Sequence, residues 1–140
     1  VPEEPYECDY PCDIKHEGTD VTIVAYSAMV KEALKAAEEL EKEGISAEVV
    51  DLRSIRPFDA DTVIKSVNKT GRLVVVQEAN LCAGFGAEVA ATVQNACFKT
   101  LKAPIQRIGA PNVPVPFSPV LEKATSNSDK VIAAVKACLQ

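Results

Sequence analysis

The hydrophobic pattern of the chain alternates between strand-like and helix-like segments. Val21–Tyr26 is an unbroken apolar and β-branched run, which is typical of a strand buried on both faces of a sheet. From Ala28 to Glu43, apolar residues recur every three or four positions with charged residues between them, which predicts an amphipathic helix that stops at Gly44. The later elements follow the same alternation: strands at Ile45–Leu52, Leu73–Gln77 and Ile105–Ile108, and helices that open at Asp59, cover about residues 87–99, and start at Ser126 or Ser128.

This alternation predicts the fold class. Strands separated by helices along the chain form a largely parallel sheet with helices on both faces, joined by right-handed crossovers. Residues 1–12 are rich in proline and acidic residues and read as a linker, and a short strand is expected around Asp13–His16. We therefore predict a three-layer α/β/α domain over residues 13–140.

Composition narrows the class of protein. A chain of 140 residues with 47% hydrophobic and 25% charged residues is an ordinary single globular domain. The net charge of −5 argues against a nucleic-acid binder, and no apolar run reaches the roughly 20 residues of a membrane span. The five cysteines show no paired spacing beyond Cys8 and Cys12, so free thiols are favoured over a zinc site. The first residue is Val1 rather than Met, and we expect the sequence to be part of a longer protein.

The segment from Asp51 to Asp59, Asp-Leu-Arg-Ser-Ile-Arg-Pro-Phe-Asp, is the first candidate site. It lies at a strand-to-helix corner, where side chains of α/β proteins gather to bind ligands. Arg53 and Arg56 could each bind a carboxylate or a phosphate through two hydrogen bonds. The favoured interpretation is structural: Arg53 pairs with Asp51 or Asp59 and locks the corner.

Three further corners hold candidate groups. Gly84 and Gly86 precede a helix whose N-terminus could receive an anion, although a tight turn and close helix packing are favoured for them. Glu78 could exchange protons, but a solvent-facing or ion-paired role is favoured. Ser27 lacks the glycines of a nucleophile elbow and reads as a turn residue or helix cap.

A proline-rich loop over residues 110–119 is the last candidate. It carries the apolar residues Val115 and Phe117, which suggests contact with another chain. His16 has no partner at an informative spacing. From the residues alone we assign no catalytic, cofactor-binding or metal-binding residue.

Several of these segments, taken together, resemble the β subunit of the 2-oxo acid dehydrogenase E1 components. The likeness covers most of the chain in the correct order. It rests on Val1–Tyr6, Glu17–Tyr26, Glu48–Pro57, Lys69–Arg72, Val76–Ala79, Gly84–Glu88 and Pro114–Pro119. The resemblance is to the carboxyl-terminal domain that this subunit shares with transketolases. It implies a mostly parallel five-stranded sheet with one antiparallel edge strand, after a linker from a pyrimidine-binding domain.

The resemblance also implies a function. The whole enzyme would use thiamine diphosphate and Mg to decarboxylate a 2-oxo acid, pyruvate being favoured over branched-chain substrates, and would acylate a lipoyl group. Its partners would be an E1α subunit, a second E1β subunit and the E2 acyltransferase. This domain would bind no cofactor itself and would serve assembly, in the mitochondrial matrix of a eukaryote or the cytoplasm of a bacterium.

Two departures from the family pattern and two alternatives accompany this interpretation. Ser27 stands where relatives usually have glycine, so the turn must avoid positive φ or accept strain. Lys102 stands where relatives often have an acidic residue facing E2, which puts the usual ion pair in doubt.

The alternatives are an autonomous module that binds small anions, at Gly84–Gly86 or at Arg53 and Arg56, and the final domain of another transketolase-like enzyme such as a deoxyxylulose-phosphate synthase.

Overall fold

The computed structural model describes residues 10–114, 116–118 and 127–140. In this part of the chain, strands and helices alternate as the hydrophobic pattern predicts. The elements in chain order are β1 Asp13–His16, β2 Val21–Ala25, α1 Met29–Lys42, β3 Ala47–Asp51, α2 Ala60–Thr70, β4 Leu73–Asn80, α3 Gly86–Cys97, β5 Gln106–Ala110 and α4 Ser128–Leu139.

The five strands form one sheet in the order β1-β3-β2-β4-β5. The pairs β3–β2, β2–β4 and β4–β5 are parallel, and β1 runs antiparallel to β3 at the edge. All five residues of β2 are buried, as the continuous apolar run predicted for a central strand. The predicted α/β fold with one antiparallel edge strand is confirmed.

Helices cover both faces of the sheet. One apolar cluster joins α1 and α4 to one face, and includes Ile23, Leu40 and Val135. A second cluster joins α2 and α3 to the other face, and includes Val24, Val67 and Val89. Because Ile23 and Val24 are neighbours in β2, their side chains point to opposite layers, which is how one strand serves both cores.

Both ends of α2 carry the capping groups that the sequence indicated. Asp59 begins α2 by accepting a hydrogen bond from Thr62 N at 3.1 Å, and Gly71 ends the helix at φ 76°. Helices α1 and α3 begin without a side-chain cap. The N-cap of α1 is Ala28, and the preceding Ser27 is a turn residue at φ 57°. Ser27 therefore accepts the left-handed conformation that glycine would adopt without strain.

A buried polar cluster lies at the amino-terminal edge of the sheet, between β2, β3 and α2. The carboxylate of Glu48 in β3 is 1% exposed, and its Oε2 accepts hydrogen bonds from Lys69 Nζ and, at 3.3 Å, from Gly18 N. Beside it, the Thr22 hydroxyl lies 2.7 Å from that of Ser66 and 2.8 Å from that of Thr70.

The Glu48 carboxylate is kept ionised by its partners. Desolvation raises its pKa, but hydrogen bonds from Lys69, Ser66 and Gly18 outweigh that effect and hold the pKa below its ordinary value. A carboxylate whose pKa is lower in the folded than in the unfolded state contributes its full stabilisation at pH values above the unfolded pKa, here about 4.3. That stabilisation is lost as the pH falls through the lower folded value.

Removing either partner of the Glu48–Lys69 pair should have unequal effects. Lys69→Met leaves a buried carboxylate without its cation and should cost about 2 kcal/mol of unfolding free energy at pH 7, less than for a fully buried pair because Lys69 is 41% exposed and screened. Glu48→Gln leaves only the Lys69 ammonium, which can be solvated by water, so it should cost about half as much unfolding free energy. It should also reduce the decrease in unfolding free energy that the wild type shows below about pH 4.3. Urea denaturation between pH 3 and 7 measures both effects.

Lys42→Met, which removes an exposed pair with Glu39, is the control, and its unfolding free energy should be unchanged. Equal losses in the two Glu48–Lys69 variants would contradict this account.

Candidate functional site

A shallow depression of about 1010 Å³ lies at the carboxyl-terminal edge of the sheet. It forms where the loop after β3, residues 55–58, meets the loop and first turn after β4, residues 83–88. The fold thus brings together Arg56 and Gly84, two residues that the sequence marked in separate corners. The carboxyl edge is where parallel sheets usually bind ligands, so this depression is the natural candidate site.

Three aromatic rings support the depression. Phe85 lies edge-on against Phe58, with ring centroids 5.5 Å apart and planes at 90°, and against Tyr26 at 6.3 Å and 80°. These geometries match the attraction between a ring edge and a ring face. The contacts tie the two loops together, while Arg56 and Glu88 supply the charged groups of the lining, both exposed.

The corner at Asp51–Asp59 is locked differently from the prediction. Arg53 is exposed at φ 55°, and within the described residues its guanidinium forms no ion pair, so the predicted pairing with Asp51 or Asp59 is wrong. Carboxylates bond to the backbone instead. Asp51 Oδ1 accepts from Arg53 N at 3.0 Å, and the two oxygens of Asp59 accept from Thr62 N and, at 3.0 Å, from Cys12 N. A backbone N–H is fixed in place, so this lock loses less side-chain entropy than one made by an arginine.

Cys12 belongs to the same corner, where its thiol form is favoured over the thiolate. Burial, together with the nearby carboxylates of Asp59 and Asp51, raises the pKa of its thiol to about 12. Cys8 lies outside the described residues. Over the ranges that the structure describes, no group of three or more His, Cys, Asp and Glu residues is arranged to hold a metal ion.

The side chain of Gln77 organises the corner after β4. It is 1% exposed, and its Nε2 donates to the carbonyls of Asn80 at 2.6 Å and Ala79 at 3.2 Å. Its Oε1 accepts a hydrogen bond, at 2.7 Å, from the backbone N of Gly86, which is the first residue of α3. One buried amide therefore joins the last residues of β4 to the first residue of α3, across the loop between them. Sequence reasoning missed this residue, although a polar side chain at the end of the run Val74-Val75-Val76 was a visible signal.

The two glycines of this corner make room for Gln77. A Cβ on Gly84 would overlap Gln77 Nε2, and a Cβ on Gly86 would overlap Gln77 Oε1. The favoured role of these glycines, close packing at a tight turn, agrees with this geometry. The next amides are also engaged: Ala87 N donates to Gly84 O at 3.0 Å, and Glu88 N to Phe85 O at 2.9 Å.

This geometry removes the anion site predicted as an alternative at Gly84–Gly86. A helix N-terminus binds an anion through free N–H groups, and here the first three amides already have acceptors. The Glu88 carboxylate adds negative charge to the same turn. Of the two candidate arginines, the exposed Arg56 lines the depression, whereas Arg53 is not among its lining residues.

The remaining predicted residues lie on the surface. Glu78 is exposed and solvent-facing, as favoured for it. Phe117 is fully exposed, at 105% of its reference surface, while Val115 lies outside the described residues. Lys102 is exposed, and its backbone N donates to Gly71 O at 2.8 Å. In the described ranges no helix is both long and apolar enough to cross a bilayer.

The fold and this corner define the class of protein. Residues 11–132 match the family described as the transketolase C-terminal domain, and the chain belongs to that family. A solved structure described as "Split gene transketolase, inactive beta4 tetramer" superposes on 99% of this chain and 45% of its own, with a TM-score of 0.79 and 32% identity.

The curated relatives narrow the class. The chain is 48% identical over 141 aligned residues to the pyruvate dehydrogenase E1 component subunit beta of Staphylococcus epidermidis and of Bacillus subtilis, and 46% identical to that of Staphylococcus aureus. Each alignment covers the whole chain and 43% of the relative, so the chain spans less than half the length of these proteins. The resemblance to E1β subunits seen in the sequence is confirmed.

Gln77→Leu should destabilise the domain, because the shorter apolar side chain leaves Gly86 N and the carbonyls of Ala79 and Asn80 without their buried partner. We expect a loss of about 2–3 kcal/mol of unfolding free energy. Urea denaturation measures it, and Gln94→Leu on the exposed face of α3 is the matched control, with an expected change within about 0.5 kcal/mol. Similar values for the two variants would show that Gln77 does not hold the corner.

Proposed function

We propose that this chain is the carboxyl-terminal assembly domain of the β subunit of a pyruvate dehydrogenase E1 component. The observation that carries the proposal is the 48% identity to such subunits along the whole chain. The whole enzyme would be an oxidoreductase that decarboxylates pyruvate with thiamine diphosphate and passes the acyl group to a lipoyl acceptor. Within it, this domain contributes associations between subunits.

The cofactor does not fit the described part of this domain. Diphosphate and Mg are held through free N–H groups and oxygen ligands. At the depression, the amides at the start of α3 already have acceptors, and Glu88 would repel a diphosphate. We therefore assign thiamine diphosphate and Mg to the remainder of the enzyme.

Self-association is the first role that we assign. Leu81 N donates to Ala110 O at 3.2 Å, and Cys82 N to Asn112 Oδ1 at 3.3 Å, so the loop after β5 lies beside the depression. The loops of this edge carry three exposed apolar residues, Ile55 at 49%, Val113 at 53% and Phe117 at 105%. Exposed apolar side chains grouped at one edge favour a protein interface, here with a second β subunit and, in the complete enzyme, with E1α.

Docking of E2 is the second role, and we place it at Lys102. The lysine stands on the opposite, amino-terminal edge of the sheet, next to Gly71. Two separate edges let the domain bind a second β subunit and E2 at the same time. The relatives named above are bacterial, which favours the cytoplasm and gives no support to the mitochondrial alternative.

The isolated chain should not bind thiamine diphosphate. Titration calorimetry with thiamine diphosphate and Mg, up to millimolar cofactor, should give only the heat of dilution, because the helix amides that could receive a diphosphate are already bonded. A complete E1 heterotetramer is the positive control. A micromolar Kd for these 140 residues would refute the assignment of a cofactor-free domain.

Phe117→Asp should weaken self-association by at least about tenfold without lowering the melting temperature, because it puts a charge on an exposed apolar contact. Sedimentation velocity over a concentration series measures the association. Ala91→Asp, which places the same charge on the exposed face of α3, should sediment as wild type. The edge assignment fails if Phe117→Asp also sediments as wild type.

A further inference from the structure

The turn that follows α3 carries an exposed aromatic ring beside two lysines. Phe98 is 71% exposed, and Lys99 and Lys102 are exposed in the same turn. Thr100 N and Leu101 N both donate to the carbonyl of the last helical residue, at 2.8 and 3.0 Å, which closes the turn. We call the three exposed residues of this closed turn, Phe98, Lys99 and Lys102, the Phe98 patch.

Lys102 is held in place by a glycine. A Cβ on Gly71 would lie 2.8 Å from Lys102 Cε and 2.9 Å from its Cδ, so the methylene chain of the lysine lies flat across Gly71. The lysine backbone is fixed as well, through the bond to Gly71 O. A long side chain that is already ordered loses less entropy when it binds a partner.

The patch is cationic on an acidic protein. The chain carries a net charge of −5, yet residues 98–102 contain no carboxylate. Several lysines elsewhere are paired with carboxylates, as Lys35 is with Glu32 at 2.8 Å and Lys136 with Glu43 at 2.6 Å. Lys99 and Lys102 have no carboxylate within ion-pair distance in the residues that the structure describes. The patch is a place where positive charge and apolar surface both remain without a partner.

We propose that the Phe98 patch docks an acidic segment of a partner protein, with an apolar side chain covering the Phe98 ring and carboxylates meeting Lys99 and Lys102. An aromatic anchor flanked by charge is the usual composition of a small interface. The complementary charge directs the encounter and excludes basic partners. The inference deepens the docking role assigned to Lys102, on which it rests, by giving the chemistry of the partner surface.

The test uses the 140-residue chain and three fluorescent peptides, measured by fluorescence anisotropy at low salt. The acidic probe is Glu-Glu-Leu-Phe-Glu-Glu, and in the other two lysine or glutamine replaces every glutamate. The wild-type chain should bind the acidic peptide at least about tenfold more tightly than the other two, and added NaCl should weaken that binding.

Substitutions in the Phe98 patch should weaken binding of the acidic peptide. The double variant Lys99→Glu/Lys102→Glu should weaken binding of the acidic peptide about tenfold, and Phe98→Ser about fivefold. Lys31→Glu is the matched control, an exposed lysine on the opposite layer that should stay within twofold of wild type. Thermal melts confirm that each variant is folded.

Three results would overturn the inference: no binding of the acidic peptide at millimolar concentration, equal loss in Lys31→Glu and the double variant, or binding to phosphatidylserine vesicles in place of the peptide. Binding of purified E2 to the wild-type chain separates this failure from that of the proposed function. A chain that binds E2 but not the acidic peptide contradicts the charge assignment alone. A chain that binds neither contradicts the docking role as well.

Discussion

The carboxyl edge of this domain depends on one buried amide. Gln77 ends the apolar part of β4, and its single side chain satisfies the first amide of α3 and the carbonyls of Ala79 and Asn80 at the end of β4. A buried amide is costly unless each of its polar atoms is bonded, so the loop has little freedom to take another path. The glycines at positions 84 and 86 follow from this constraint, because no side chain fits where the amide lies.

The two edges of the sheet use polar groups in different ways. At the carboxyl edge, Asp51, Asp59 and Gln77 bond to backbone atoms, which fixes loops and leaves apolar side chains outward. At the amino-terminal edge, the buried Glu48 accepts hydrogen bonds from a lysine and a backbone amide. These bonds keep the carboxylate ionised although desolvation favours its protonated form. Both arrangements use polar side chains for structure.

The Asp51–Asp59 segment shows why a motif can identify a family without being its active site. Its arginines suggested ligand binding, yet its carboxylates hold the backbone, Arg53 is exposed, and Arg56 lines the depression. The segment also forms one wall of the depression and begins α2. The chain belongs to the transketolase C-terminal domain family and is 48% identical to a pyruvate dehydrogenase E1 component subunit beta.

The sequence by itself determined the layers, most helix ends and the family. Periodicity identifies strands and helices because burial must repeat with the geometry of each element, and Asp59, Gly71 and Gly44 act within a few residues of where they stand. The tertiary structure decided the partners of the polar side chains. Arg53 was expected to pair with a nearby carboxylate, but in the folded domain backbone amides donate to those carboxylate oxygens instead. Gln77 has its role only because the fold brings the end of β4 next to the start of α3. Local signals act within a turn of chain, whereas hydrogen-bond partners are chosen by proximity across the whole fold.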